Sequence, residues 1–320
     1  MRPKVYIDGR EGTTGLQIYE RLAARRDIEL LTIGGDKRKD PAERAERMDR
    51  ADIVFLCLPD AAAVEAVGLV TDPDTRIVDC STAHRTAAGW AYGFPELSAA
   101  HRSAVRDAKR VANPGCHATG FLAIVYPLVA LGILPRDAAL SCFSLTGYSG
   151  GGKKMIAQYE QEDRAPELSS PALYGLRQDH KHLPEMQKVC GLETPPVFVP
   201  IVDDYYKGMA GTVPFRMDQL RGPSTLGEVR QALRGYYAET AGTAGIVRVA
   251  DVPADGAGAG SKIYADALAG KDALTLIAAG NDERFTITAL FDNLGKGASG
   301  AAVQNMNIML GLDEAAGLDL

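Results

Sequence analysis

The chain has 320 residues, of which 46% are hydrophobic and 24% charged, proportions typical of a globular protein of about two domains. This composition excludes a disordered chain, a collagen and a small disulfide-stabilised scaffold. The net charge of −6 argues against a general binder of nucleic acids or membrane surfaces. No apolar run reaches the ~18–20 residues that a membrane-spanning helix needs.

The five cysteines are an odd number, and three of them lie in apolar, strand-like stretches. Reduced thiols fit this distribution better than a disulfide framework does. The first residues predict a strand and contain no apolar segment typical of a signal peptide. We therefore expect a cytoplasmic protein.

Strand and helix patterns alternate over the first third of the chain. Strands are predicted at residues 4–8, 28–33, 52–58, 76–80 and 110–112. Helices are predicted at residues 16–23, 41–50 and 61–70. This alternation predicts βαβ units and a doubly wound parallel sheet, that is, a Rossmann-like α/β domain.

The pattern changes after about residue 117. Strand-like runs follow at residues 139–145, 197–203, 211–215, 246–249 and 284–291. The one strong helix among them begins near a capping box formed by Thr225 and Glu228. Residues 254–260 predict a surface loop, and residues 295–312 are helical again. We expect a first domain of residues 1–116 plus the C-terminal helix at about 295–320, and an α+β second domain of residues 117–294 with a largely antiparallel sheet.

Three glycines follow the first predicted strand. Gly9, Gly12 and Gly15 have the spacing G-x-x-G-x-x-G and precede an amphipathic helix. Glycines at these positions let the backbone turn tightly and approach a pyrophosphate at the helix N-terminus, where Thr13 and Thr14 lie. A plain glycine turn is the alternative, but the strand-to-helix context favours a dinucleotide site.

The choice of dinucleotide is expected to depend on residues that follow the second strand. Asp36 could bind a ribose hydroxyl and favour NAD, whereas Lys37 or Arg38 could pair with the 2′-phosphate of NADP. A solvated charge run before a helix is the alternative. Two cations in three residues favour NADP(H).

Cys116 lies in a polar turn, Asn113-Pro-Gly-Cys-His117, just before a strongly apolar helix. At a helix N-terminus the macrodipole and free N–H groups favour a thiolate and can also hold an oxyanion. A single cysteine is often a small core residue, as we expect for Cys57, Cys80 and Cys142. Because a polar turn presents Cys116, we predict a nucleophile.

His180 and His182 are two of only five histidines, and in an extended chain their side chains point to the same side. A thiolate nucleophile needs a general acid/base, and histidine is the usual one near neutral pH. A metal pair is possible, but a catalytic zinc normally has three protein ligands and no obvious third is present. An ordinary surface loop is the remaining alternative.

Two further glycine-rich segments carry polar groups. Ser149 and Lys153 lie in a segment of hydroxyls, glycines and cations that suits a phosphate or an oxyanion. Asn293 lies in a second glycine-rich turn between a strand and a helix. A flexible loop and a tightly packed helix entry are the respective alternatives.

Together these motifs resemble the N-acetyl-γ-glutamyl-phosphate reductase family of the semialdehyde dehydrogenase superfamily, and the length is similar to that of its shorter subtype. The resemblance covers nearly the whole chain. It rests on residues 9–15, Asp79-Cys-Ser-Thr-Ala-His-Arg85, Tyr92-Gly-Phe-Pro-Glu-Leu97, Asn113-Pro-Gly-Cys-His-Ala-Thr119, His180-Lys-His-Leu-Pro-Glu185 and residues 292–300. His117 departs from the longer subtype, which tends to have an aromatic residue there.

The resemblance implies an enzyme of arginine biosynthesis that reduces N-acetylglutamyl 5-phosphate with NADPH and releases phosphate. It implies that Cys116 forms a thioacyl intermediate and that His180 transfers the proton, with His182 a close second. It also implies that Glu185 orients a histidine and that Arg85 binds the substrate phosphate or carboxylate.

By the same resemblance, Pro59, Ser81 and Asn293 lie along the nicotinamide half of the coenzyme. The second domain is then the catalytic and oligomerisation domain of a homodimer or homotetramer. Aspartate-semialdehyde dehydrogenase, which uses the same chemistry on a smaller acyl phosphate, is the alternative within the superfamily. A cysteine or zinc hydrolase and a non-catalytic dinucleotide sensor are alternatives of other classes.

Overall fold

The computed structural model describes residues 2–35, 37–242, 244–252 and 262–320. Asp36 and the predicted loop at residues 254–260 lie outside the described residues. Within those ranges, every helix is too short or too polar to cross a lipid bilayer. The chain forms two compact units. The first consists of Met1–Pro95, Ala99–Pro114 and Ala298–Asp319, and the second consists of Glu96–Ser98, Gly115–Gly297 and Leu320.

The first unit contains a six-stranded sheet of order β2-β1-β3-β4-β6-β5, in which every pairing is parallel. The strands are β1 (Lys4–Asp8), β2 (Glu29–Leu31), β3 (Ile53–Leu56), β4 (Arg76–Asp79), β5 (Ala91–Tyr92) and β6 (Arg110–Ala112). The helices are α1 (Thr13–Ala23), α2 (Pro41–Asp49), α3 (Asp60–Val67), α4 (Ala99–Asp107) and, after those of the second unit, α9 (Gly300–Leu310).

Both faces of this sheet are covered by helices. Residues of α1, α4 and α9 share one buried cluster with Val5 and Phe55. Residues of α2 and α3 share another with Tyr6 and Val54. Successive side chains of a strand point to opposite faces, so the two clusters lie on opposite sides of the sheet. The prediction of a doubly wound α/β domain is confirmed.

The second unit contains a seven-stranded mixed sheet of order β11-β12-β13-β10-β7-β9-β8. The strands are β7 (Ser141–Gly147), β8 (Ala172–Leu173), β9 (Val197–Asp203), β10 (Met209–Arg216), β11 (Val247–Ala250), β12 (Leu274–Gly280) and β13 (Arg284–Phe291). The helices are α5 (Cys116–Ala130), α6 (Gly152–Glu160), α7 (Leu183–Cys190) and α8 (Leu226–Thr240). Four of the six strand pairings are antiparallel, which confirms the predicted α+β unit.

Helix α5 is the centre of the second unit and is buried along most of its length. It packs closely on the sheet at Gly120, where an added Cβ would lie 3.0 Å from the ring of Phe291 in β13. Helix α8 contacts it through Tyr237, whose hydroxyl donates to the carbonyl of Ala123 at 2.6 Å. This packing fixes the start of α5, where Cys116 lies.

The sequence patterns missed some elements of the second unit. Strand β12 and helices α6 and α7 were not predicted, although all three are regular. The segment expected to be helical from residue 295 begins with a π-helical turn, Gly295–Ser299, before α9. The capping box of α8 forms as predicted, with the Thr225 side chain accepting from the Glu228 amide.

Candidate active site and coenzyme site

The glycine turn after β1 is formed by backbone contacts that exclude side chains. Gly9 has φ of +83°, and an added Cβ there would overlap the carbonyl oxygen of Cys57. An added Cβ on Gly15 would overlap the carbonyl oxygen of Gly9. Both positions therefore require glycine for conformational or steric reasons. The result is a bare backbone cradle of the kind that admits a pyrophosphate.

Helix α1 begins directly after this turn. Gly12 is its N-cap residue and donates its N–H to the carbonyl of Gly9 at 2.9 Å. Thr13 and Thr14 are the first two helical residues, and no side chain of the described residues caps this terminus. The first amides of a helix have no intrahelical acceptors, so they can bind an anion.

A cavity of about 370 Å³ lies beside the turn, and its walls include Gly9 and several basic side chains. Arg38, Lys39 and Arg44 are among the described residues that line it. Lys37 is not one of them, because it ion-pairs with Glu43 at 2.6 Å on the exposed surface. The cradle, the free helix terminus and this basic cavity fit a dinucleotide.

Two predicted coenzyme residues follow neighbouring strands of the first sheet. Pro59 is the N-cap residue of α3, shortly after β3. Ser81 follows β4 and donates its amide and hydroxyl to Asp79 at 2.9 and 2.7 Å. Ligands bind at the carboxyl ends of parallel strands, which is where both residues lie. Arg85 lies in the same unit, and its Nε donates to the carbonyl of Asn113 at 2.9 Å.

Asn293 and Ser149 belong to the second unit and bind each other. The Asn293 side chain donates to the Ser149 hydroxyl at 3.0 Å and accepts the Gly208 amide at 2.9 Å. Both residues are buried. Their side chains therefore already hold two loops of the second unit together. Lys153 is exposed on α6.

Cys116 is the first residue of α5, with Gly115 as the N-cap, and it is partly exposed. The predicted location at a helix start is confirmed. No acidic residue lies in the first turn of this helix. The positive end of the helix dipole favours a thiolate at Cys116, whereas the Glu185 carboxylate, which accepts the amide of the N-cap residue Gly115, opposes it.

Glu185 links the cysteine turn to a histidine. Its Oε2 accepts the amide of Gly115 at 3.1 Å, and its Oε1 lies 4.0 Å from Nε2 of His182. Glu185 is 1% exposed. The hydrogen bond from Gly115 compensates part of the cost of burying this carboxylate, and the carboxylate lies between the Gly115 backbone and the His182 imidazole.

His180 and His182 lie at the start of α7, with His182 as its N-cap residue. Their rings meet edge to face, with centroids 4.7 Å apart. The amide of His182 donates to Nδ1 of His180 at 3.2 Å, so Nδ1 of His180 carries no proton in this arrangement. His182 is buried, whereas His180 is partly exposed.

His117 also lies in this cluster, although no sequence pattern predicted it there. Its Nδ1 lies 2.8 Å from the Ser144 hydroxyl and its Nε2 lies 2.6 Å from the Tyr174 hydroxyl. Burial, and secondarily the nearby His180, lower the pKa of His117 to about 3. His117 is therefore neutral near pH 7, with both ring nitrogens already bonded.

The π-helical turn packs against the cysteine. An added Cβ on Gly297 would lie 3.0 Å from Cβ of Cys116. The neighbouring Lys296 forms a buried ion pair with both carboxylate oxygens of Glu96, at 2.8 and 2.9 Å. This pair anchors the turn beneath Cys116. Among the described residues, no three His, Cys, Asp or Glu side chains are grouped to hold a metal ion.

Residues 4–105 match the family model for the semialdehyde dehydrogenase NAD-binding domain, and residues 116–293 match that for the semialdehyde dehydrogenase dimerisation domain. N-acetyl-γ-glutamyl-phosphate reductase 2 of Nostoc sp. is 46% identical to this chain, covering 99% of both. The N-acetyl-γ-glutamyl-phosphate reductase of Burkholderia cenocepacia is 44% identical, covering 98% of this chain and 99% of the relative. The chain belongs to the N-acetyl-γ-glutamyl-phosphate reductase family. The family predicted from the motifs is confirmed.

Solved structures of the alternative family share the fold of this reductase family member. Aspartate semialdehyde dehydrogenase II of Vibrio cholerae, complexed with ASA, superposes with a TM-score of 0.72 at 15% identity, covering 97% of this chain and 98% of that one. The enzyme of Candida albicans with NADP gives a TM-score of 0.69 at 15% identity, covering 97% and 99%. At this identity the likeness shows the fold alone.

The environment of His117 predicts a pH-dependent stability. Because its folded pKa of about 3 lies below the ordinary value of 6.5, its contribution is complete above pH 6.5 and is lost as the pH falls towards 3. Between pH 7.5 and 5, we expect the wild type to lose about 2 kcal/mol more of its free energy of unfolding than His117→Asn. Urea unfolding at both pH values measures this difference.

Equal losses in the two proteins would contradict this prediction. Imidazole NMR provides an independent check that does not require the variant to fold. The nitrogen shifts of His117 should stay those of a neutral ring at pH 5, while an exposed histidine titrates near 6.5.

The contact at Gly297 predicts that a methyl group there displaces Cys116. Gly297→Ala should cost about 1–3 kcal/mol of stability through overpacking and should slow alkylation of Cys116 by iodoacetamide. Gly235→Ala is the matched control, because an added Cβ at Gly235 meets no atom within 4 Å. Unchanged alkylation in Gly297→Ala would show that the turn does not hold Cys116 in place.

Proposed function

We propose that this chain is an N-acetyl-γ-glutamyl-phosphate reductase that converts N-acetyl-L-glutamyl 5-phosphate to N-acetyl-L-glutamate 5-semialdehyde with NADPH. The observation that carries the proposal is the arrangement around Cys116. A partly exposed thiol starts α5, and the buried Glu185 joins its turn to His182. The curated relatives that match nearly the whole of this chain carry the name of this reductase.

The first chemical step is acyl transfer to the cysteine. The Cys116 thiolate attacks the acyl carbon, the bond to the phosphate oxygen breaks and phosphate leaves, so that a thioester remains on the enzyme. Amides at the start of α5 stabilise the negative charge that develops on the acyl oxygen. Gly297 and the Lys296–Glu96 pair support the turn on which this geometry depends.

The second step needs a hydride and a proton. NADPH, when bound, would supply the hydride to the thioester carbon. The oxygen of the resulting thiohemiacetal takes a proton and returns it as the carbon–sulfur bond breaks, which frees Cys116 and releases the semialdehyde. His182 is our first choice for the proton donor to this oxygen, because its Nε2 lies 4.0 Å from the carboxylate of Glu185, which also binds the turn before Cys116. His180 remains the alternative. His117 is a poor candidate, since its low pKa keeps it neutral.

The coenzyme is expected to bind the first unit, which contains most of the predicted domain of residues 1–116 and helix α9. Its pyrophosphate would lie over the backbone cradle of Gly9 and Gly15, at the start of α1. Pro59 and Ser81, at the ends of β3 and β4, would contact the nicotinamide half. The basic cavity supports NADP over NAD, although Lys37 is already engaged with Glu43.

The phosphate and the α-carboxylate of the substrate need cationic partners. Arg85 is the proposed partner in the first unit, and Lys153 with its exposed ammonium is the proposed partner in the second. Ser149 and Asn293 would act by holding the loop that precedes Lys153, since their side chains bind each other. Phosphate is the second product of the reaction.

We expect a homodimer or homotetramer formed through the second sheet. One face of this sheet exposes the apolar side chains of Phe143 and Val197, which are 43% and 59% exposed. Leu173, on the edge strand β8, is 56% exposed. Such a patch on a matched dimerisation domain fits a second copy of the chain.

The reverse reaction tests the proposal, because the acyl phosphate is unstable. With N-acetylglutamate semialdehyde, phosphate and NADP, the wild type should produce NADPH, measured by absorbance, and should do so only with phosphate. Cys116→Ser should abolish this activity, whereas Cys142→Ala, which removes a buried thiol, should retain it. His182→Asn should lower kcat by about 10²–10⁴-fold, with a smaller effect on KM.

The outcomes separate the competing assignments. A larger loss in His180→Asn than in His182→Asn would move the proton transfer to His180. Turnover with aspartate semialdehyde but not with the acetylated substrate would assign the alternative reductase. No turnover with either substrate would contradict the proposed reaction.

A further inference from the structure

A buried carboxylate lies where the coenzyme phosphates are expected. Asp8 is the last residue of β1, is 4% exposed and immediately precedes Gly9 of the phosphate-binding turn. A carboxylate there repels an incoming phosphate unless a cation neutralises it. Arg44, from α2, provides that cation, with Nη2 2.6 Å and Nε 3.2 Å from Oδ2 of Asp8.

The pair with Asp8 uses only one edge of the Arg44 guanidinium. Among the residues that the structure describes, Asp8 is the hydrogen-bond partner of Nε and Nη2, and Nη1 has none. The side chain is 16% exposed and lines the cavity beside the glycine turn. A guanidinium with five donors can hold a carboxylate on one edge and a phosphate on another.

The cavity around Arg44 carries a surplus of positive charge. Among the described residues that line it, the charged ones are four cations and two carboxylates, namely Arg10, Arg38, Lys39, Arg44, Asp8 and Glu11. Arg10 and Arg38 lie 3.6 and 3.7 Å from Glu11, in exposed and therefore weak pairs. The cavity thus favours a ligand group with two negative charges, and a ribose phosphomonoester is such a group.

We propose that Arg44, held in place by Asp8, selects the phosphorylated coenzyme by binding the 2′-phosphate of its adenosine ribose. The inference rests on the proposed use of NADPH and names the residue that recognises it. Arg38 and Lys39 are exposed and must be ordered when the ligand binds. Arg44 is already ordered by its ion pair, so it loses less conformational freedom for the same contact.

Binding of two nucleotide fragments to the full chain tests this assignment. The probes are 2′,5′-ADP and 5′-AMP, which differ only in the 2′-phosphate, and their Kd values are measured by calorimetry. Arg44→Met should weaken 2′,5′-ADP by about 10–100-fold, the effect of one charge-assisted contact, and 5′-AMP much less. Arg47→Met is the matched control, because Arg47 lies on the same helix, contacts Glu46 and is not among the described lining residues.

A double variant separates phosphate binding from mere neutralisation of Asp8. Arg44→Met alone leaves Asp8 buried without its cation, which could unfold the turn or repel both probes. Asp8→Asn/Arg44→Met removes both charges, and its fold is checked by circular dichroism. We expect it to bind 5′-AMP as the wild type does and 2′,5′-ADP weakly. Recovery of 2′,5′-ADP binding in the double variant would overturn the inference.

The wild type distinguishes failure of this inference from failure of the proposed function. A wild type that prefers 2′,5′-ADP, and keeps that preference in Arg44→Met, would overturn the role of Arg44 alone. A wild type that binds both probes equally would overturn both the choice of NADP and the role of Arg44. Loss of 2′,5′-ADP binding in Arg44→Met and in the double variant supports the inference even if the reductase assay fails.

Discussion

The buried Glu185 carboxylate is the interaction on which the arrangement around Cys116 depends. A group that is 1% exposed cannot rely on water, so protein donors must replace it. Gly115 supplies an amide at 3.1 Å, and Nε2 of His182 lies 4.0 Å away, beyond hydrogen-bond distance but close enough to interact with the carboxylate by charge. Gly115 caps α5 and His182 caps α7, so the carboxylate lies between the starts of two helices. Cys116, the proposed nucleophile, and His182, the proposed proton donor, are therefore both close to the same desolvated charge.

The glycine turn of the first unit depends on two other constraints, one steric and one electrostatic. Gly9 and Gly15 leave no room for a side chain against Cys57 and against each other, so the turn presents only backbone. Asp8 then introduces a negative charge at the edge of that turn, and Arg44 neutralises it at 2.6 Å. A bare backbone and a compensated charge are both needed, since either a Cβ or an unpaired carboxylate would keep a phosphate out.

Local signals were enough to predict most of the first unit and the location of Cys116. An apolar run followed by Gly9 marks β1, an apolar run between Asp52 and Pro59 marks β3, and the Pro-Gly turn before Cys116 marks the start of α5. Strand β12 was missed because its residues lack clear alternation, and α7 because it is short and contains a proline. Side-chain partners could not be predicted from these patterns. Lys37 was predicted to bind the coenzyme phosphate, but in the folded chain it pairs with Glu43 in the first turn of α2.

The three clustered histidines of the second unit show why the sequence alone could not assign a role to each of them. His117, His180 and His182 are identical in type, and their rings lie within 5.6 Å of one another. They differ in the group that lies beside each ring nitrogen. Ser144 and Tyr174, distant along the chain, hold His117 as a neutral core residue. The His182 amide occupies Nδ1 of His180, while Glu185 lies beside His182. A nearby carboxylate favours the charged imidazole, whereas two neutral hydroxyl partners do not, so the proposed division of these histidines between structure and proton transfer depends on contacts that form only in the folded chain.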